Sequence, residues 1–97
     1  MADTASPLTV LIPGTVIFSH IGVDNGVLLD IDGGVFFSLT STASHLWTQW
    51  MQDGSVERSI DSLVDAFAVD RATADKDVRE LIDELKAKGL LATAAAD

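Results

Sequence analysis

The 97-residue chain is long enough for one domain with one hydrophobic core, and 47% of its residues are apolar. A formal net charge of −9 disfavours nucleic acid and anionic membranes as partners, because like charges repel. The lack of cysteine excludes disulfides, thiol catalysis and cysteine-ligated zinc. We find neither a secretory signal nor an apolar run of about 18 residues, so we expect a cytoplasmic location.

The first half of the chain is typical of short strands. Pro7 and Pro13 bracket an extended lead-in or edge strand. Three β-branched and aromatic segments, separated by the turn signals Asp-Asn-Gly and Asp-Gly-Gly, then predict an antiparallel meander. Its strands are Thr15–Ile21, Val27–Ile31 and Val35–Leu39. Alternation places the first, third and fifth residues of the last strand on the core side, with Phe36 and Ser38 on the opposite face.

The second half predicts three amphipathic helices. The first begins at a Thr40 or Ser41 cap and ends near Gln52, the second runs from Ser55 to about Phe67, and the third runs from Asp70 to about Lys88. The pattern therefore predicts an α+β fold in which a three-stranded antiparallel sheet is followed by three helices. The predicted domain covers residues 15–91, with a partly flexible lead-in over 1–14 and a flexible tail over 92–97. Because the sheet has few strands, it has an unpaired edge unless something covers it.

Chemistry-bearing residues are sparse. His20 and His45 lie about 25 residues apart, and neither has an acid at metal-ligand spacing. Asp30 and Asp32 favour turn formation over cation binding, because a calcium loop needs further ligands. Trp47 and Trp50 are three residues apart on the first helix and favour the core, with a peptide groove as the alternative. We therefore expect no enzymatic activity, no metal and no cofactor.

From the second strand onward the chain resembles the PqqD-like family, the recognition elements for precursors of ribosomally made, modified peptides. The matching positions are Gly26-Val27-Leu28-Leu29-Asp30, Gly34, Phe37, Leu39-Thr40, Ala43, Leu46-Trp47, Asp53-Gly54, Ile60, Leu63, Phe67, Val69-Asp70, Asp77-Val78, Leu81, Leu85 and Gly89-Leu90. Thr40 and Ala43 stand where the family usually has asparagine and glycine. The acidic hairpin turn and aromatic third strand look closer to the stand-alone lasso-peptide leader-binding type.

The resemblance implies a winged-helix-like domain in which a precursor's leader peptide adds as a strand beside the third strand, over the third helix. It also implies an adaptor that delivers the leader to a leader peptidase or another modifying enzyme. Within this arrangement we expect Arg79 and Lys86 to meet leader carboxylates and Ile82 to anchor an apolar side chain. The predicted peptide-binding residues are Val35, Phe36, Phe37, Ser38, Leu39, Asp75, Arg79, Ile82 and Lys86. This hypothesis requires that the N-terminal segment does not block the sheet edge.

Two other classes of function compete with this one. A winged-helix DNA-binding regulator is compatible with the element order, but its recognition helix should be basic, whereas these helices are acid-rich. A small enzyme would need a clustered acid, base or nucleophile, and no such motif is visible.

Overall fold

The computed structural model of the protein describes residues 8–95. Eight elements follow in chain order: β1 (Leu8–Leu11), β2 (Val16–Ile21), β3 (Asn25–Asp30), β4 (Val35–Leu39), α1 (Ser41–Asp53), α2 (Val56–Phe67), α3 (Arg71–Ala87) and β5 (Ala92–Ala95). The predicted α+β fold, with a three-stranded antiparallel sheet followed by three helices, is confirmed. None of the helices within residues 8–95 combines the length and apolarity needed to cross a bilayer.

The three-stranded sheet is a meander in the order β2-β3-β4. The turn between β3 and β4 is held by the Asp30 carboxylate, which accepts the backbone N–H of Asp32 at 3.1 Å, as the prediction of turn chemistry requires. Gly34 ends this turn at a φ of 69°, and its N–H donates to the Asp30 carbonyl at 2.7 Å. The turn fixes the register in which Asp30 faces Val35 and Leu28 faces Phe37.

Side-chain caps set where the first two helices begin. Thr40 Oγ1 accepts the backbone N–H of Ala43 at 3.2 Å, so Thr40 caps α1, as the sequence predicts. Ser55 Oγ accepts the N–H of Arg58 at 3.1 Å and caps α2. Because the Thr40 cap starts α1 immediately after β4, the N-terminus of the helix lies beside the end of the strand.

The chain ends form a second, two-stranded sheet, and here the structure differs from the prediction of a flexible tail. β5 pairs antiparallel with β1, with Val10 facing Thr93. The predicted edge strand after Pro7 is therefore present, but its partner was not anticipated. Residues 1–7 of the predicted lead-in and residues 96–97 of the predicted tail lie outside the described residues.

The loop between α1 and α2 holds β1 in place. The N–H of Val10 donates to the Gly54 carbonyl at 2.7 Å, and Thr9 forms an isolated antiparallel bridge with Ser55. Gly54 has a φ of 70°, and a Cβ atom at this position would lie 2.7 Å from the Val10 carbonyl oxygen. Glycine is therefore needed here both for backbone conformation and for the close approach of β1.

The core lies between the three-stranded sheet and the helices. Trp47 and Trp50 are 1% and 3% exposed, and their rings meet edge to face at a centroid distance of 6.4 Å. This confirms the prediction that the pair belongs to the core. The buried residues Leu28 and Leu39 come from the sheet, so α1 packs directly over β3 and β4.

Candidate functional site

The outer edge of β4 is the first component of the site. β4 pairs with β3 along one edge, and within residues 8–95 no segment pairs with its other edge. Because alternate residues of an edge strand direct their N–H and C=O groups away from the sheet, this edge offers unpaired backbone donors and acceptors. The N-terminal strand β1 pairs with β5, so its described residues leave the edge open.

The two faces of β4 differ as the sequence predicts. Val35 and Phe37 are half-buried on the core side and Leu39 is buried, whereas Phe36 and Ser38 are exposed. The Phe36 side chain stands well clear of the protein surface, with 69% of its area exposed. A guest strand beside β4 would alternate in the same way, with one set of side chains toward the helices and the other beside Phe36.

A row of apolar side chains crosses the outer face of the sheet. Ile17 faces Leu29 across β2 and β3, and Leu29 faces Phe36 across β3 and β4. Ile17 is 46% exposed and Leu29 is half-buried. A strand added to β4 would lengthen this row by one position.

The C-terminal end of α3 leads to β4. The ammonium group of Lys88, which directly follows α3, is 5.7 Å from the centroid of the Phe37 ring, a cation–π geometry. Further back along α3, Leu81 and Glu84 approach the start of α1. Asp77, Leu81, Glu84 and Lys88 follow one another at intervals of three or four residues, so they share a flank of the helix.

A cavity of about 290 Å³ lies between this flank and the start of α1. Ala43, Leu46 and Leu81 supply its apolar surface. Its polar lining consists of Thr40, Thr42, Asp77, Glu80 and Glu84. Because Thr40 directly follows β4 and lines the cavity, the cavity lies next to the end of that strand.

The α3 residues predicted to bind the peptide lie on the other flank, and the structure does not bring them together with β4. Arg79 Nε donates to Asp75 Oδ1 at 2.7 Å, four residues earlier on the same helix. Lys86 Nζ donates to Thr93 Oγ1 at 3.1 Å and therefore points toward β5. Ile82 is 3% exposed and belongs to the core.

The physical reason is the symmetry of an amphipathic helix. The buried stripe of Ala74, Val78 and Leu85 has a flank on each side. Arg79 and Lys86 lie on one flank, and Asp77 and Glu84 lie on the other. The sequence identifies the stripe but not the direction in which α3 crosses the sheet. Leu81 was the available signal in the sequence, because it is an apolar residue at the edge of the stripe on the flank of Asp77 and Glu84. In the structure it is half-buried.

The two histidines lie away from β4, at the β2–β3 hairpin. A cavity of about 310 Å³ there is lined in part by His20, Asp24, Ser44 and His45. His45 Nε2 lies 2.6 Å from Ser62 Oγ, and its ring packs on Phe67 with a centroid distance of 5.4 Å. These contacts tie α1 to α2. Across residues 8–95, no three histidine, aspartate or glutamate side chains are grouped as a metal site would require.

The exposed surface of α3 is not basic overall. The helix exposes four carboxylates, Asp77, Glu80, Asp83 and Glu84, and an equal number of cations, Arg71, Lys76, Arg79 and Lys86. A helix that enters a DNA groove needs basic side chains to meet phosphate, so this surface disfavours the alternative of a DNA-binding regulator.

The fold and the open strand edge beside a helix define a small winged-helix-like α+β domain with a site suited to an extended peptide. The family described as Coenzyme PQQ synthesis protein D (PqqD) matches residues 25–91, and the chain belongs to this family. The resemblance seen in the sequence is thereby confirmed. A comparison with proteins that carry curated descriptions finds no significant match.

Two solved structures are similar over nearly the whole chain. One is TbiB1 in complex with the TbiA(beta) leader peptide, with 31% identity, a TM-score of 0.79, and coverage of 90% of this chain and 99% of that chain. The other is lasso peptide synthetase B1 complexed with the leader peptide, with 21% identity, a TM-score of 0.77, and coverage of 87% and 98%. The second likeness concerns the fold alone.

Proposed function

We propose that this protein binds the leader segment of a ribosomally synthesised precursor peptide by adding it as a strand to the free edge of β4. The observation that carries the proposal is that edge, unpaired within residues 8–95 and adjacent to a flank of α3. The family membership and the similarity to TbiB1, whose structure contains a leader peptide, support it.

Strand addition accounts for affinity with little demand on the peptide's sequence. β4 has five residues, and alternate ones present backbone groups to a guest strand about 4.8 Å away. Selectivity then comes from side chains. Those that point inward meet the Phe37 ring and the cavity beside Leu81, whereas those that point outward meet Phe36.

The protein acts as a non-catalytic adaptor in this proposal. Binding the leader tethers the precursor to a leader peptidase or another modifying enzyme, which raises the effective substrate concentration near that enzyme. We favour the lasso-peptide type, because the acidic hairpin turn and the aromatic strand β4 resemble that type and the 31% identical relative TbiB1 is bound to a leader peptide. The apolar row that ends at Phe36 offers the enzyme a surface continuous with the bound leader.

A titration of isotope-labelled protein tests the proposal. The ligand is the leader segment of a short precursor encoded beside this gene, and the readout is the backbone amide resonances. We expect binding at micromolar or lower concentration, with the largest shifts in β4 and in the α3 flank that carries Leu81.

A matched control peptide separates backbone pairing from side-chain contact. Two leader peptides are made, one N-methylated at the odd-numbered residues of the bound segment and the other at the even-numbered residues. N-methylation removes N–H donors but keeps every side chain, so one peptide should lose binding and the other should bind nearly as well as the unmodified leader. Shifts confined to β2, whose outer edge is also unpaired within residues 8–95, would contradict the proposed site. Equal binding by both methylated peptides would contradict strand addition.

A further inference from the structure

We use the term groove for the surface between the free edge of β4 and the α3 flank of Asp77, Leu81, Glu84 and Lys88. Its positive and negative charges are unevenly distributed. Its β4-side cation is Lys88, which lies over Phe37. Asp77 and Glu84 lie seven positions apart on the same flank, and Glu80, between them in the sequence, also lines the cavity. The cations predicted to meet the leader, Arg79 and Lys86, lie on the other flank of α3, and carboxylates line this one.

From this arrangement we propose that the leader segment recognised by this protein carries a lysine or arginine that meets Asp77, Glu80 and Glu84 where β4 passes into α1. The inference rests on the proposed function, because the strand edge and the cavity define the site and the carboxylates only decide which side chains it accepts. An acidic guest side chain would be repelled at the same position.

The carboxylates are poorly neutralised by the protein itself. Glu80 has one weak ion pair, with Lys76 at 3.8 Å, and both side chains are largely exposed. Within residues 8–95 no ion pair involves Asp77 or Glu84. Lys88 is four residues after Glu84, a spacing that permits an ion pair, yet its ammonium group lies over the Phe37 ring instead.

The dimensions of the groove specify a short pattern in the guest strand. The rise from Asp77 to Glu84 is about 10 Å along the helix, which equals about three residues of an extended strand. Same-side residues of a strand are two positions apart, about 6.6 Å. Along the helix Leu81 lies about 6 Å from Asp77 and about 4.5 Å from Glu84, so an apolar guest residue directed at Leu81 is compatible with a basic residue two positions away on the same side.

A selection experiment with random peptides tests this inference and does not require the sequence of the leader. The probe is a displayed library of random twelve-residue peptides, panned against the immobilised protein. Peptides that shift the β4 amides should be enriched in an apolar residue followed or preceded, two positions away, by lysine or arginine. One such peptide is then synthesised with that basic residue and with glutamine in its place.

Two protein variants with the same charge change provide the comparison. Glu84→Gln removes a carboxylate from the cavity, whereas Asp83→Asn removes one from the neighbouring residue, which lines a cavity beside Arg79, Lys86 and Thr93 instead. Exposed ion pairs are worth about 0.2–1 kcal/mol, so Glu84→Gln should raise the Kd of the basic peptide about 1.5- to fivefold. It should leave the Kd of the glutamine peptide unchanged, and Asp83→Asn should leave both unchanged.

Two results would count against the inference, and they are distinguishable from failure of the proposed function. Selected peptides that shift the β4 amides but show no enrichment of basic residues would overturn the charge preference and leave strand addition standing. The same holds if Glu84→Gln and Asp83→Asn change the Kd equally. If no selected peptide shifts the β4 amides, strand addition itself is refuted, and the charge preference with it.

Discussion

Replacement of Gly54 by alanine should destabilise the protein by breaking the junction between β1 and the α1–α2 loop. Gly54 has a φ of +70°, and an added Cβ would lie 2.7 Å from the Val10 carbonyl oxygen. The left-handed conformation costs alanine about 1–2 kcal/mol, of which about 0.4–1 kcal/mol is offset because alanine restricts the unfolded chain. Relief of the close contact requires β1 to move, although β1 is held by the 2.7 Å hydrogen bond from the Val10 N–H.

Loss of that hydrogen bond costs about 0.5–1.5 kcal/mol, and partial exposure of the buried Val10 side chain adds to the loss. We therefore expect Gly54→Ala to lower the free energy of unfolding by about 2–3 kcal/mol. For a domain of this size that change corresponds to a fall in Tm of about 8–20 °C. Urea unfolding followed by tryptophan fluorescence measures it, because Trp47 and Trp50 are both buried in the core.

A second glycine provides the matched control. Gly89 has a φ of +75°, but a Cβ there would meet nothing within 4 Å. Gly89→Ala therefore carries the backbone cost without the contact, and it should lower the free energy of unfolding by only about 0.5–1 kcal/mol. Equal destabilisation by the two variants would refute the reasoning that the approach of β1 requires glycine at position 54.

Three further predictions concern the site and the helix that follows it. Phe37→Ala should weaken leader binding about tenfold or more, because it removes the half-buried ring beside Lys88. Phe36→Ala, on the outer face, should weaken it less than threefold. Calorimetric titration of both variants with the leader measures the difference. The double variant Arg79→Ala with Lys86→Ala should leave the leader Kd within twofold of the wild-type value, since Arg79 pairs with Asp75 and Lys86 points toward Thr93. A larger loss of affinity in the same titration would show that the flank predicted from the sequence contacts the leader. Thr40→Ala should lower the free energy of unfolding by about 1 kcal/mol through loss of the α1 cap, and Thr40→Ser should retain most of the stability in urea unfolding.

Local chemistry determined most elements of the fold. The turn residues around Asp30 and Gly34, the caps at Thr40 and Ser55, and the apolar period of each helix act within a few residues, so they can be recognised in the sequence. The outward direction of Phe36 followed from simple alternation along a strand.

The pairing of the chain ends had no such local signal. β5 has the sequence Ala-Thr-Ala-Ala, which has little intrinsic preference for a strand. It becomes a strand because β1, anchored by the backbone of Gly54, supplies the hydrogen-bonding partner. A pairing between residues more than eighty positions apart depends on how the helices bring the two ends together.

The composition of the groove was likewise decided by tertiary structure. The sequence showed that α3 has a core stripe with Arg79 on one flank and Glu84 on the other, and these flanks are equivalent on a helical wheel. Only the packing of α3 in the folded chain places Lys88 over Phe37 and turns Lys86 toward Thr93. The sequence alone thus predicted a small sheet whose edge would be unpaired unless something covered it. Tertiary structure decided that β1 pairs with β5 instead of with that edge, and the packing of one helix decided which charges lie near it.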